Sequence, residues 1–91
     1  NITKLDLSTT LVKGTDLSPL AKLTQLKILD LRNNSIQNIK SLASLTQLEE
    51  LYLGGNHISN VKALKKLENL VRLGLSKNIK LKKLTFLIKK N

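Results

Sequence analysis

A period of 22 residues runs through this chain and limits its fold more than any other feature. Displaced by 22, Leu23, Leu45 and Leu67 superpose, and so do Leu26, Leu48 and Leu70. Leu29, Leu51 and Leu73 follow, then Leu31, Leu53 and Leu75, and then Asn34, Asn56 and Asn78. Ile36 meets Ile58, Ile39 meets Val61, and Leu42 meets Leu64. A unit of this length cannot bury its own apolar residues. It must stack on its neighbours, so that successive units share one continuous core. Leucine fills 22 of the 91 positions, so the material for such a core is present.

The outer units depart from the period. Ile2, Leu5 and Leu7 open a repeat in which Thr10 stands where the others have Asn, and two extra residues fall near Lys13-Gly14. After Asn78 the apolar set slips by one, to Leu81, Leu84 and Leu87. Terminal repeats of an array are commonly atypical in this way.

Each unit reads LxxLxLxxN and has two halves. The LxL portion alternates, as a short strand does when one face is buried. The portion that follows, such as Ile39-Leu42-Leu45, keeps a spacing of three, which suits a turn of 3₁₀ or α helix. The pattern predicts strands at 3–7, 27–31, 49–53 and 71–75. Helical turns are expected at 19–23, 41–45, 63–67 and 84–88. Ser18-Pro19 reads as a helix start, with Ser as the cap and Pro at the first position, where its missing N–H costs nothing.

These motifs resemble those of the leucine-rich repeat family over essentially the whole chain. The 22-residue period and the Asn-x-Ile-x-x-Ile/Val-x-x-Leu half are similar to the subclass of bacterial internalins, which the regulatory subunit of type-1 protein phosphatase shares. The resemblance implies an α/β fold: a right-handed solenoid with a parallel sheet on its concave side and short helical turns on its convex side. Secreted members usually carry cysteine-rich caps, and internalin-like members a helical cap before the first strand. Neither is seen here, so residues 1–91 read as one domain of about four turns, taken from a longer array. Uncovered apolar ends would favour self-association.

The Asn column has a physical reason of its own. Where the chain leaves each strand, backbone groups turn inward without ladder partners. An inward amide offers both a donor and an acceptor to satisfy them. Asn34, Asn56 and Asn78 are accordingly read as a structural ladder, a task Thr10 can do only in part.

Nothing in the chain points to catalysis. Cysteine is absent, which removes disulfides and thiolate chemistry and favours a cytoplasmic or bacterial setting. The single histidine, His57, has no second ligand at metal-binding spacing, and Gly54-Gly55 lacks the GK[ST] of a phosphate loop. No catalytic residue, metal site or cofactor is expected. No apolar run exceeds three residues, which excludes a membrane-spanning helix.

Binding is therefore the expectation, and the strand residues between the leucines are its candidates. With LxL pointing inward, the opposite face carries Thr3, Lys4, Asp6 and Ser8, then Lys27, Ile28, Asp30 and Arg32. Glu49, Glu50, Tyr52 and Gly54 follow, then Val71, Arg72, Gly74 and Ser76. Apolar groups on a face meant for water, with Tyr and Arg beside them, mark a protein footprint. Ile28, Asp30, Arg32, Glu50, Tyr52 and Arg72 are the residues expected to carry it. Tyr52 is expected to gain room from Gly54.

Charge is distributed unevenly. On the concave strands and their exits, Lys4, Lys27, Arg32, Arg72 and Lys77 nearly balance Asp6, Asp30, Glu49 and Glu50. The other eleven lysines face only Asp16 and Glu68, which accounts for most of the formal +10. Lysines without interleaved aromatics usually form a solvated face. A nucleic-acid or anionic-membrane footprint is the alternative, and regulation of an enzyme such as a phosphatase is a third reading.

Overall fold

Residues 2–9 and 16–78 are described by the computed structural model. Strands β1 (Lys4–Asp6), β2 (Ile28–Asp30), β3 (Glu50–Tyr52) and β4 (Arg72–Gly74) alternate with 3₁₀ helices η1 (Ser18–Lys22), η2 (Lys40–Ser44) and η3 (Lys62–Lys66). The strands form one parallel sheet in chain order. η1 packs on η2 and η2 on η3, making a second layer. The helical turn expected at 84–88, the lysines after Asn78, Thr10 and Lys13-Gly14 lie outside the described residues.

The regular strands are shorter than alternation predicts, yet the ladder continues beyond them. The N–H groups of Leu7, Leu31 and Leu53 donate to the carbonyls of Asp30, Tyr52 and Gly74, each at 2.8 Å. Thr9, Asn33 and Gly55 repeat the contact one step later, to Arg32, Gly54 and Ser76. At the strand entrance one carbonyl serves two successive donors. Thr3 accepts from Lys27 and Ile28, Lys27 from Glu49 and Glu50, and Glu49 from Val71 and Arg72. The doubled bond interrupts the alternation there, and Lys27, Glu49 and Val71 all remain exposed. Lys4 pairs with Ile28, 24 residues on, whereas Ile28 pairs with Glu50 and Glu50 with Arg72 at intervals of 22. The two surplus residues of the first unit are thus kept out of the sheet.

The spacing of three resolves into 3₁₀ geometry. Leu20, Leu23 and Leu26 donate their N–H groups to Leu17, Leu20 and Leu23 at 2.9–3.1 Å. The same chain of bonds links Ile39, Leu42, Leu45 and Leu48, and again Val61, Leu64, Leu67 and Leu70. In a 3₁₀ helix, side chains three apart eclipse one another. Each apolar residue therefore lies above the last on one line facing the core. Leu42, Leu45, Leu48, Leu51 and Leu53 of the central unit are fully buried, with Leu26, Leu29, Leu31, Ile36 and Ile58 packed around them. Leu5 and Leu7 at one end, and Leu70, Leu73 and Leu75 at the other, are only partly covered.

Ser18 does not cap η1 as the sequence suggested. Leu17 holds the cap position, with no side-chain hydrogen bond to the helix. Asp16 engages Ser18 from outside the helix: its Oδ1 accepts the Ser18 N–H at 3.1 Å and the Ser18 hydroxyl at 2.6 Å. The carboxylate two residues ahead closes an Asx turn on the Ser18 N–H and also engages its hydroxyl. These hydrogen bonds hold the Asp16 pKa below its usual value. Asn38 and Asn60 make the same turn, accepting the N–H groups of Lys40 at 2.8 Å and Lys62 at 2.9 Å. Asp16, Asn38 and Asn60 are themselves 22 apart. This second Asx column was visible in the repeat and went unread behind the more prominent asparagines.

Asn34 and Asn56 are buried between turns, and Asn78 is partly buried. Asn56 Oδ1 accepts the N–H groups of Asn34 and Ile36, both at 2.9 Å. Its Nδ2 donates to the carbonyls of Leu53 at 2.9 Å and Leu31 at 3.0 Å. One amide thus serves its own turn and the preceding one. Asn78 Oδ1 accepts from Ile58, and its Nδ2 donates to Leu53 and Leu75. Beside this column the backbone is left-handed at Asn33, Gly55 and Lys77, with φ of 60°, 69° and 59°.

Two stability experiments follow from this geometry. Asn56→Ala leaves several backbone groups unpaired, each worth about 1–3 kcal/mol when buried. Its loss of unfolding free energy should exceed that of Asn78→Ala, whose site is more open; denaturant midpoints compare the two. Gly55→Ala should also destabilise, by about 1–2 kcal/mol for a left-handed non-glycine residue. Its Cβ would additionally collide with the Asn33 side chain. A Gly55→Ala midpoint equal to that of the parent would refute both the backbone and the steric cost.

Candidate functional site

Parallel pairing in fixed register turns the exposed strand residues into rows that cross the sheet. One row is Lys4, Ile28, Glu50 and Arg72; the next is Asp6, Asp30, Tyr52 and Gly74. The leucines between them, Leu29 and Leu51, are fully buried. Alternation therefore gathers Ile28, Asp30, Glu50, Tyr52 and Arg72 on one face, with Arg32 just beyond β2.

The charged groups on this face are already engaged with one another. Arg32 grips the Asp30 carboxylate: Nε lies 2.9 Å from Oδ1 and Nη2 lies 2.7 Å from Oδ2. That grip raises the Arg32 pKa above its ordinary value, through the hydrogen bond to Asp30 first and its charge second. Asp30 also accepts the Arg32 backbone N–H at 3.1 Å. Arg32, one of the residues expected to carry a binding footprint, is thus already paired within the chain. Arg32 lies two positions after Asp30, with only Leu31 between them, which is close enough for the fork to close internally. Arg72 is held more loosely, with Nη1 3.3 Å from Glu50 Oε2 and its side chain 68% exposed.

Tyr52 donates its hydroxyl to Glu50 Oε1 at 2.6 Å. Donation to a carboxylate raises the phenol's pKa above 10, with smaller contributions from burial and from the Glu50 charge. The glycine that neighbours the ring is Gly74 rather than Gly54, and a side chain there would be in ordinary contact with it. A Cβ at Gly74 would lie 3.5 Å from Tyr52 Cδ1, whereas one at Gly54 would meet Ser76. Gly74 is the cross-strand partner of Tyr52, and sequence proximity had pointed to the wrong glycine. On the far side of the ring, Lys4, Leu5, Asp6, Ile28, Asp30, Glu50 and Tyr52 surround a shallow depression. Asp6 accepts the N–H and hydroxyl of Ser8 at 2.9 and 2.8 Å, and these bonds lower its pKa.

His57 is an exposed loop residue whose backbone N–H donates to Ile36. Among the described residues, no three His, Cys, Asp or Glu side chains lie where they could hold a metal ion. None of the described helices is long and apolar enough to cross a membrane.

Residues 1–58 match the model of a family described as Leucine rich repeat, and residues 46–89 match a second, Leucine Rich repeats (2 copies). The chain belongs to the leucine-rich repeat family. Among solved structures it is similar to an internalin (InlF) of Listeria monocytogenes, at 37% identity and a TM-score of 0.75. The likeness covers 80% of this chain and 21% of that one. Internalin C2 of the same organism is 40% identical with a TM-score of 0.80, over 85% of this chain and 33% of its own. The chain therefore spans a fifth to a third of these internalin-like relatives. No curated protein matches it. Proteins of the family generally mediate protein–protein contacts and are typically non-catalytic.

The Tyr52–Glu50 bond can be tested directly, because Tyr52 is the only tyrosine. Its absorbance titration should have a midpoint above 10, and Glu50→Gln should move that midpoint down. A raised folded-state pKa contributes stability that is present below pH 10 and is lost as pH rises through the folded-state value. An unchanged midpoint in Glu50→Gln would remove Glu50 as the cause.

Proposed function

We propose that this chain is a non-catalytic protein-binding module that uses its concave sheet face. Tyr52 is its anchor, with Ile28 and Arg72 beside it and Asp30, Arg32 and Glu50 as the polar surround. The observation that carries this reading is the Tyr52 side chain, beside Gly74 and tied at its tip to Glu50. A rigid aromatic with one face open to a partner loses little conformational freedom on binding, and such residues dominate interface energetics. The Asp30–Arg32 pair is satisfied within the chain and so contributes shape and specificity more than affinity. Arg72, exposed and weakly held, is the cation better placed to reach a partner's carboxylate.

Site-specific photo-crosslinking tests the choice of face. A benzophenone side chain at Ile28 or Tyr52 should yield discrete protein adducts in extracts, and one at Ser41, on η2, should not. For a partner identified in this way, Tyr52→Ala should weaken binding by about 2 kcal/mol, roughly thirtyfold, with the fold retained. Arg32→Ala should cost less than Arg72→Ala. Adducts arising mainly from Ser41, or a silent Tyr52→Ala, would overturn the reading.

A further inference from the structure

The side of the solenoid opposite the sheet carries a groove between η2 and η3. Gln37, Asn38, Lys40, Ala43, Ser59, Asn60, Lys62, Ala63 and Lys66 line it. Lys40, Lys62 and Lys66 are exposed, no carboxylate lines the groove, and none of the three is in an ion pair among the described residues. The amide groups add to this. The oxygens of Asn38 and Asn60 are occupied by the N–H groups of Lys40 and Lys62. Their Nδ2 donors remain without a partner among the described residues. Three ammonium groups and two fixed amides thus present almost nothing but donors above a floor of two alanines. A surface of this kind complements a ligand rich in acceptors and negative charge.

We propose that this groove binds a sulfated polysaccharide chain, laid across the stacked 3₁₀ turns and held by Lys40, Lys62 and Lys66. This surface is separate from the concave face and does not depend on what that face binds. Its chemistry disfavours other polyanions. Single-stranded nucleic acid is held by stacking on aromatic rings, and the only aromatic among the described residues, Tyr52, is on the sheet face. A bilayer would be engaged by inserted apolar groups, but the large exposed apolar side chains, Ile2 and Val71, are both outside the groove. An acidic polypeptide brings an amide donor for each carbonyl, and the groove has few acceptors to meet them. A sulfated polysaccharide brings sulfate, hydroxyl and ring oxygens, which suit both the lysines and the amides.

Heparin serves as the probe, measured by titration calorimetry at two salt concentrations. Lys40→Gln/Lys62→Gln/Lys66→Gln should lower affinity at least about tenfold and flatten its dependence on salt, because fewer counterions are displaced. Lys80→Gln/Lys82→Gln/Lys83→Gln removes the same net charge elsewhere and should cost no more than about threefold by general attraction. Tyr52→Ala should bind heparin as the parent does. Circular dichroism checks that all three variants fold. Equal losses in the two lysine triples would show attraction by bulk charge and overturn the assignment. So would failure of the parent to bind heparin, or inorganic polyphosphate or phosphatidylserine vesicles binding through the groove as tightly as heparin.

Discussion

Asn34 and Asn56 are buried in a stack that is otherwise apolar, and the amides can be satisfied there only if successive turns lie in one register. Leucine packing is non-directional and would tolerate small slips between turns. A hydrogen bond at 2.9 Å tolerates far less. Because the Asn56 oxygen takes donors from the preceding turn while its nitrogen serves carbonyls of both turns, displacement of either turn would break several bonds at once. The sheet rows inherit this register. Tyr52 stands opposite Asp30 and Gly74 only while it holds.

The two layers of each turn are linked by their periods. A strand places alternate residues inward, while a 3₁₀ turn places every third residue inward, and the unit must return to the same point after one circuit. Asx turns at Asp16, Asn38 and Asn60 bring the chain into the 3₁₀ segment without a helix cap. Left-handed residues at Asn33, Gly55 and Lys77 turn it out of the strand. The first unit is longer by two, and its strand still pairs in register with the next, Lys4 opposite Ile28 and Asp6 opposite Asp30.

The same architecture separates two chemically different surfaces. Short strands in tight register hold side chains of both signs close together on the sheet face, where they pair and leave Tyr52 and Ile28 as the features a partner could distinguish. Across the molecule, the 3₁₀ turns carry Lys22, Lys40, Lys62, Lys65 and Lys66 and no acidic residue. A face whose charges cancel selects by shape, and a face of like charges attracts from a distance.

Much of this was legible in the sequence because a repeat states each structural rule several times. The strands lie inside the stretches that alternation marked, the 3₁₀ turns begin one residue earlier than spacing suggested, and the asparagines read as an inward column make the bonds described above. What only the tertiary structure decided is which neighbour each exposed side chain chose. Alternation tells that Asp30, Arg32, Glu50, Tyr52 and Arg72 share a face, but a residue on a sheet has neighbours along its own strand and across to the next. The contest between them is settled by side-chain reach and register. Arg32 therefore pairs with Asp30 on its own strand, and the glycine beside Tyr52 is Gly74, 22 residues away, rather than Gly54. Periodicity in one dimension determines which way a side chain faces; its partner is determined only when the strands are laid side by side.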